Sequence, residues 1–100
     1  MRRLSKPKPP ESPCITSLSS LGQAVRARRL ASGLRIDDAA ALCGVSVDLL
    51  SRLENGHSGV ASDRLLRVLD GLGLSLLVLD KASVPLVIQA TAQAAKVSAP

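Results

Sequence analysis

The chain has 100 residues and a formal net charge of +5 at pH 7, and it contains no Phe, Tyr or Trp. A chain of this length forms at most one domain with a small core, which here must be built from Leu, Val, Ile and Ala. The positive charge favours a polyanionic partner. No apolar run is long enough to span a membrane, and no apolar segment follows the basic N-terminus as in a secretory signal.

Residues 1–16 are predicted to be a basic, disordered arm. The segment combines Arg2, Arg3, Lys6 and Lys8 with four prolines, a composition that cannot bury enough apolar surface to fold. The arm either contacts DNA phosphates or a minor groove, or it serves only as a solubilising tail.

The first helix of a domain over residues 17–80 is predicted to begin at a capping box, Ser20–Gln23, and to end near Ser32–Gly33. Arg29 falls on the face that should point into the core, so it needs an acidic partner. Glu54 is the candidate for that partner. The alternative is that both side chains extend to solvent.

Two short amphipathic helices then follow, joined by a tight turn at Gly44. Gly44 suits a positive φ, and Ser46 can cap the next helix. This is the layout of a helix-turn-helix that reads DNA. The inward positions are Ile36, Ala39, Ala40 and Cys43 in one helix, and Leu49, Leu50 and Leu53 in the other.

The outward face of the second of these helices supplies the predicted base contacts. Arg52 can grip guanine O6 and N7 together, and Val47 can pack on a thymine methyl group. Asp48 either accepts a hydrogen bond from cytosine N4 or only favours the helix N-terminus. The predicted base-contacting residues are Val47, Asp48, Ser51 and Arg52.

The C-terminal third is predicted to hold a fourth helix, a strand and a tail. The helix begins at Ser62 or Asp63 and ends at Gly71–Gly73, with an inner side formed by Leu65, Leu66, Leu69 and Leu72. Residues 74–79 are apolar on both faces, which an edge strand tolerates only if a second copy pairs with it. Residues 81–100 form a weak helix, a second strand over 84–88, or a flexible tail.

Residues 21–80 resemble the Cro/phage-repressor (Xre) class. The resemblance rests on the basic first helix, the small-residue second helix, Gly44-Val45-Ser46 and the ending Arg52-Leu53-Glu54-Asn55-Gly56. Residues 71–80 further resemble the strand of HipB-type antitoxins. The resemblance implies a mainly all-α, lambda-repressor-like domain of four to five helices. A short dimerising strand follows, with Leu74, Leu76, Leu77, Val78 and Leu79.

The resemblance also implies further site residues. Asn55 and Ser58 match phosphate-contacting positions, and an Arg and a Glu commonly form a buried salt bridge at the positions of Arg29 and Glu54. With the other basic and capping candidates, the predicted phosphate contacts are Arg26, Arg28, Arg35, Ser46, Asn55 and Ser58.

These observations give three functional hypotheses. The first is a homodimeric, sequence-specific repressor acting on a pseudo-palindromic operator in double-stranded DNA. The second is a HipB-like antitoxin that neutralises a HipA-type kinase toxin and regulates its own operon. The third is a degenerate helix-turn-helix that serves only as a protein-interaction scaffold.

The sequence predicts neither an enzyme nor a cofactor or metal site. It has no nucleophile with a matching base and no phosphate-binding glycine loop, and His57 stands alone in its loop. Because Cys14 lies in the polar arm and Cys43 on a core face, we expect no disulfide and a reducing cytoplasm.

Overall fold

The computed structural model describes the backbone of residues 13–98 and the side chains of residues 13–93. The predicted all-α fold is confirmed. The helices are α1 (Leu18–Ala31), α2 (Ile36–Cys43), α3 (Val47–Glu54), α4 (Ser62–Gly71) and α5 (Val84–Ser98), with a 3₁₀ turn (Lys81–Ser83) before α5. None of the helices that these residues form is long and apolar enough to cross a membrane. The first twelve residues of the predicted arm lie outside the described residues.

Helix α1 begins earlier than the sequence predicted. Its N-cap is Ser17, whose hydroxyl accepts a hydrogen bond from the Ser20 amide at 3.0 Å, while the Ser20 hydroxyl accepts one from the Ser17 amide at 3.3 Å. The predicted box starting at Ser20 is therefore wrong by three residues, because Ser20 closes the box instead of opening it. The predicted end is confirmed, with Gly33 at φ +73°.

The core is formed where α1, α2, α3 and α4 meet. In α4 the prediction of Leu66 as an inward residue is wrong, since its side chain is 50% exposed and Val68 is fully buried instead. The spacing of the helix explains the difference, because Leu65, Val68 and Leu69 share one face and Leu66 lies off it. The buried apolar residues are Val25, Ala39, Ala40, Cys43, Leu50, Leu53, Val68, Leu69 and Leu72.

Two glycines let the helices approach closely. A β-carbon on Gly22 would lie 2.5 Å from the carbonyl oxygens of both Leu53 and Glu54, so α1 crosses the end of α3 in direct backbone contact. A β-carbon on Gly71 would lie 2.6 Å from Cys43 Sγ, which brings α4 equally close to α2. These two contacts fix the orientation of the helix pair α2–α3 in the domain.

The segment between α4 and α5, residues 74–80, is neither helix nor strand in this single chain. Among the described residues none forms a β-strand; the strand pairing predicted here needs a second copy and stays a prediction. Of the alternatives for residues 81–100, the structure shows the helix, because residues 84–98 form α5. The alternative of a second strand over 84–88 is wrong.

Candidate nucleic-acid interface

Helix α3 is held by its inner face and leaves its N-terminal turn exposed. Leu50 and Leu53 are 0% and 2% exposed, whereas Val47 is 43% exposed and Asp48 is also exposed. The Ser46 hydroxyl accepts a hydrogen bond from the Leu49 amide at 3.0 Å, so the predicted N-cap is confirmed. Capping stabilises the turn that would enter a major groove.

The turn before α3 depends on the backbone conformation of Gly44. Gly44 ends α2 at φ +72° and ψ +34°, in the left-handed region. No heavy atom lies within 4 Å of the position of a β-carbon there. Glycine is therefore required by the backbone angle and not by crowding.

A buried ion pair connects α1 to the end of α3. Arg29 Nε donates to Glu54 Oε2 at 2.6 Å and Nη2 donates to Oε1 at 2.9 Å, a bidentate pair. The two side chains are only 10% and 5% exposed. The hydrogen bond to Glu54 raises the pKa of Arg29, and desolvation opposes the rise. Arg29 Nη1 also donates to the Leu34 carbonyl at 3.0 Å, which attaches the loop before α2.

An open cavity of about 420 Å³ lies beside this pair, between α1, the start of α2 and α3. We call it the cationic cavity. Because Arg29 neutralises Glu54 inside it, Arg26 and Arg35 supply its excess positive charge. Arg35 Nε lies 3.5 Å from Asp37 Oδ1, an exposed pair that stabilises little. The lining residues are Arg26, Arg29, Arg35, Ile36, Ser51, Glu54 and Asn55.

Of the remaining predicted contact residues, Asn55 lines the cationic cavity and Arg52 is not part of its lining. Arg52 Nη2 lies 3.5 Å from the Ser58 carbonyl oxygen, at the limit of a hydrogen bond, so the guanidinium is held weakly on the loop after α3. The Asn55 side-chain amide donates to the Ser51 carbonyl at 2.8 Å, which leaves its own oxygen as an acceptor. The Ser58 and Ser46 side chains are on the exposed surface.

Arg28 is a predicted phosphate contact that the structure separates from Arg26 and Arg35. Arg28 Nε donates to the Leu72 carbonyl at 2.8 Å. It thus provides a hydrogen-bond donor for a carbonyl group at the C-terminal end of α4. Its side chain lines a different surface depression, on the other side of α1. This contact could not be predicted from the sequence, because the two residues are 44 positions apart and no local pattern joins them.

No metal site accompanies this surface in the part of the chain with described side chains. No three His, Cys, Asp or Glu residues there lie together in a way that could hold an ion.

Comparison with known proteins agrees with this geometry. The sequence model of the helix-turn-helix domain family matches residues 20–81, and the chain belongs to that family. Three solved structures, described as "Structure of HipA-HipB-O2-O3 complex", "HipB-O4 20mer complex" and "MDT Protein", contain a chain with the same fold. Each match has a TM-score of 0.62 and 24% identity, and covers 68% of this chain and 96% of the other. No curated protein matches the sequence.

Proposed function

We propose that the chain is a sequence-specific DNA-binding regulator of transcription, acting as a dimeric repressor. The observation that carries this proposal is that the cationic cavity is lined by Ser51, one helical turn after the exposed Val47 at the start of α3. A helix in the major groove needs phosphate contacts on its flank to fix its register, and base contacts at its N-terminal half to read sequence. Both kinds of residue are present on one face.

We assign the phosphate and base contacts to individual residues from the exposure and charge of their side chains. Arg26, Arg35 and Asn55 hold the DNA backbone at the cationic cavity, together with the hydroxyls of Ser46 and Ser58. Val47, Asp48 and Ser51 face the base edges. Arg52 exchanges its long contact with the Ser58 carbonyl for the O6 and N7 atoms of guanine, which offer two short hydrogen bonds in place of one weak one.

The repressor acts by occupying its operator, not by chemistry. Two copies joined through residues 74–79 would set two α3 helices about 34–36 Å apart, the separation of successive major-groove segments on one side of DNA. The operator is then an inverted repeat.

Selection of binding sites from random double-stranded DNA tests this proposal. We expect the full chain to enrich an inverted repeat whose half-sites are centred about 10 base pairs apart, or a multiple of that distance. Arg52→Ala should enrich a sequence that differs at one position in each half-site. If the selected DNA were not enriched in any sequence, the result would contradict the proposal.

A second candidate function is that of an antitoxin that binds a HipA-type protein. The observation that favours it is the fold shared with a chain of the structure described as "Structure of HipA-HipB-O2-O3 complex". Co-expression with a kinase-fold protein encoded by the adjacent gene tests it: the wild type should restore growth and purify with the toxin. Arg52→Ala should do so equally well, because it changes only the proposed DNA-reading face. Absence of such a neighbouring gene, or of any complex, would exclude this role.

A further inference from the structure

The side chain of Arg52 is partly covered although it lies on the outward face of α3. Arg52 is half-buried, whereas Asp48, one helical turn earlier on the same side, is exposed. The loop after α3, residues 56–59, supplies contacts to it. Arg52 Nη2 lies 3.5 Å from the Ser58 carbonyl oxygen and 3.5 Å from the position that a β-carbon on Gly59 would occupy. The guanidinium therefore lies against the backbone of this loop.

The loop that supports Arg52 is itself fixed to the domain. The His57 amide donates to the Arg52 carbonyl at 2.9 Å. A β-carbon on Gly56 would lie 3.0 Å from Ser19 Cα, so the start of the loop is in close contact with α1. Val60, which follows the loop, packs against the core. The support for Arg52 is thus part of the folded domain, as precise positioning of a binding side chain requires.

The contact with the loop leaves the hydrogen-bond donors of Arg52 available. A distance of 3.5 Å is at the limit of a hydrogen bond. Among the residues with described side chains, no carboxylate lies within ion-pair distance of Arg52, whereas Glu54 accepts two hydrogen bonds from Arg29. The fork of Arg52 therefore keeps the hydrogens that guanine O6 and N7 would accept.

The position of the Ser58 carbonyl depends on the backbone conformation of Gly59. Gly59 has φ +86°, an angle that residues with a β-carbon rarely adopt. This angle orients the peptide group between residues 58 and 59, which carries the Ser58 carbonyl. A residue with a side chain at position 59 would change the angle and so move the carbonyl away from its place beside Arg52.

We propose that Gly59 is a positioning residue for sequence recognition, because it shapes the loop that restricts Arg52 before DNA binds. The inference rests on the proposed function and names a residue outside α3 that contributes to its specificity. A side chain that is already restricted loses less conformational entropy when it binds. For one arginine this advantage corresponds to about twofold to tenfold in affinity.

Fluorescence anisotropy with full-length variants and a single selected half-site tests this inference. Each variant is titrated against the half-site that contains the guanine assigned to Arg52, and against the same duplex with an A·T pair at that position. The ratio of the two dissociation constants measures discrimination at this base. A displaced Ser58 hydroxyl would weaken binding to both duplexes equally, so it would not change the ratio.

Gly59→Ala should lower this ratio by about twofold to tenfold, and Arg52→Ala should lower it further. Because Gly59 acts through Arg52, adding Gly59→Ala to Arg52→Ala should have no further effect on the ratio. Gly33→Ala is the matched control. Gly33 has φ +73°, and no heavy atom lies within 4 Å of its β-carbon position. The control therefore strains the backbone in a similar way but should leave the ratio unchanged.

An unchanged ratio in Gly59→Ala, an equal fall in Gly33→Ala, or a further fall in the double variant would overturn the inference. If Arg52→Ala lowers the ratio and Gly59→Ala does not, the proposed function stands and only the inference is refuted. If Arg52→Ala itself has no effect, the proposed base contact and the inference both fail. Circular dichroism checks the folding of each variant.

A second measurement needs neither DNA nor a substituted protein. NMR relaxation of the arginine Nε–H groups in the wild type should show Arg52 to be more restricted than Arg67, which is exposed on α4. Equal mobility of the two side chains would overturn the inference even if Gly59→Ala did not fold.

Discussion

Arg29 and Glu54 join α1 to the C-terminal end of α3 through two parallel hydrogen bonds of 2.6 and 2.9 Å. The pair is buried, and the remaining Arg29 amino group is bonded to the Leu34 carbonyl. The orientation of α3 therefore depends on Arg29, a residue of α1, as well as on the residues of α3 itself. Removal of either partner should leave a buried charge without its counterion.

Glu54→Ala should lower the free energy of unfolding by about 3–5 kcal/mol, because the Arg29 guanidinium then remains buried and unpaired. Urea denaturation measures the loss. Asp37→Ala is the matched control: it removes the carboxylate of the exposed Arg35–Asp37 pair and should change stability by no more than about 0.5 kcal/mol. Equal effects of the two substitutions would contradict the structural role of the buried pair.

Two glycine substitutions should differ in cost because the glycines are required for different reasons. Gly44→Ala meets no atom but forces alanine to a positive φ, so it should cost about 1–2 kcal/mol. Gly22→Ala drives a methyl group into the backbone of α3 and should cost more than Gly44→Ala. Thermal unfolding of both variants gives the comparison. A Gly22→Ala protein as stable as the wild type would disprove the direct contact between α1 and α3.

The positions of the helices could largely be predicted from sequence, because their signals are local. Gly44 and Ser46 lie next to the elements that they end and begin, and the apolar spacing identifies the buried faces of α2 and α3. The contacts of Gly22 with Glu54 and of Arg28 with Leu72 could not be predicted. Each joins residues more than thirty positions apart, and no local pattern indicates how two helices cross.

In the candidate site, too, local features could be predicted from the sequence and contacts between distant residues could not. The sequence indicated which side of α3 faces outward, and the structure agrees for Val47 and Asp48. Sequence alone placed Arg28 with Arg26 and Arg35 among the phosphate contacts because all three are basic. Only the fold shows that Arg28 lies on the opposite side of α1.

The separation of the three arginines predicts different salt dependences of DNA binding. Arg26→Ala and Arg35→Ala should each reduce the slope of log K against log salt concentration by about one, since each removes one phosphate contact. Arg28→Ala removes the same charge but should leave the slope unchanged, provided that binding is measured on a single half-site. A common reduction in all three variants would indicate a diffuse charge effect and not the cationic cavity.

Burial raises the pKa of the Cys43 thiol, which gives a testable pH dependence. The unfolded thiol loses its proton at a lower pH than the folded one, so this contribution to stability is complete below the unfolded pKa, about 8.5, and is lost as pH rises above it. Urea denaturation between about pH 7 and pH 10 should therefore show a decline that Cys43→Ala lacks. Parallel curves for the two proteins would contradict a buried, neutral thiol.

Fluorescence anisotropy tests whether α3 recognises DNA sequence. The full chain is titrated against DNA from immediately upstream of its own gene and against a scrambled duplex, at two salt concentrations. Arg52→Ala is compared with Arg67→Ala, which removes an exposed charge of α4 that does not line the cationic cavity. We expect selective binding by the wild type and by Arg67→Ala, and a loss of about 1–3 kcal/mol of discrimination in Arg52→Ala. Binding that is equal on both duplexes and unaffected by Arg52→Ala would contradict sequence reading by α3.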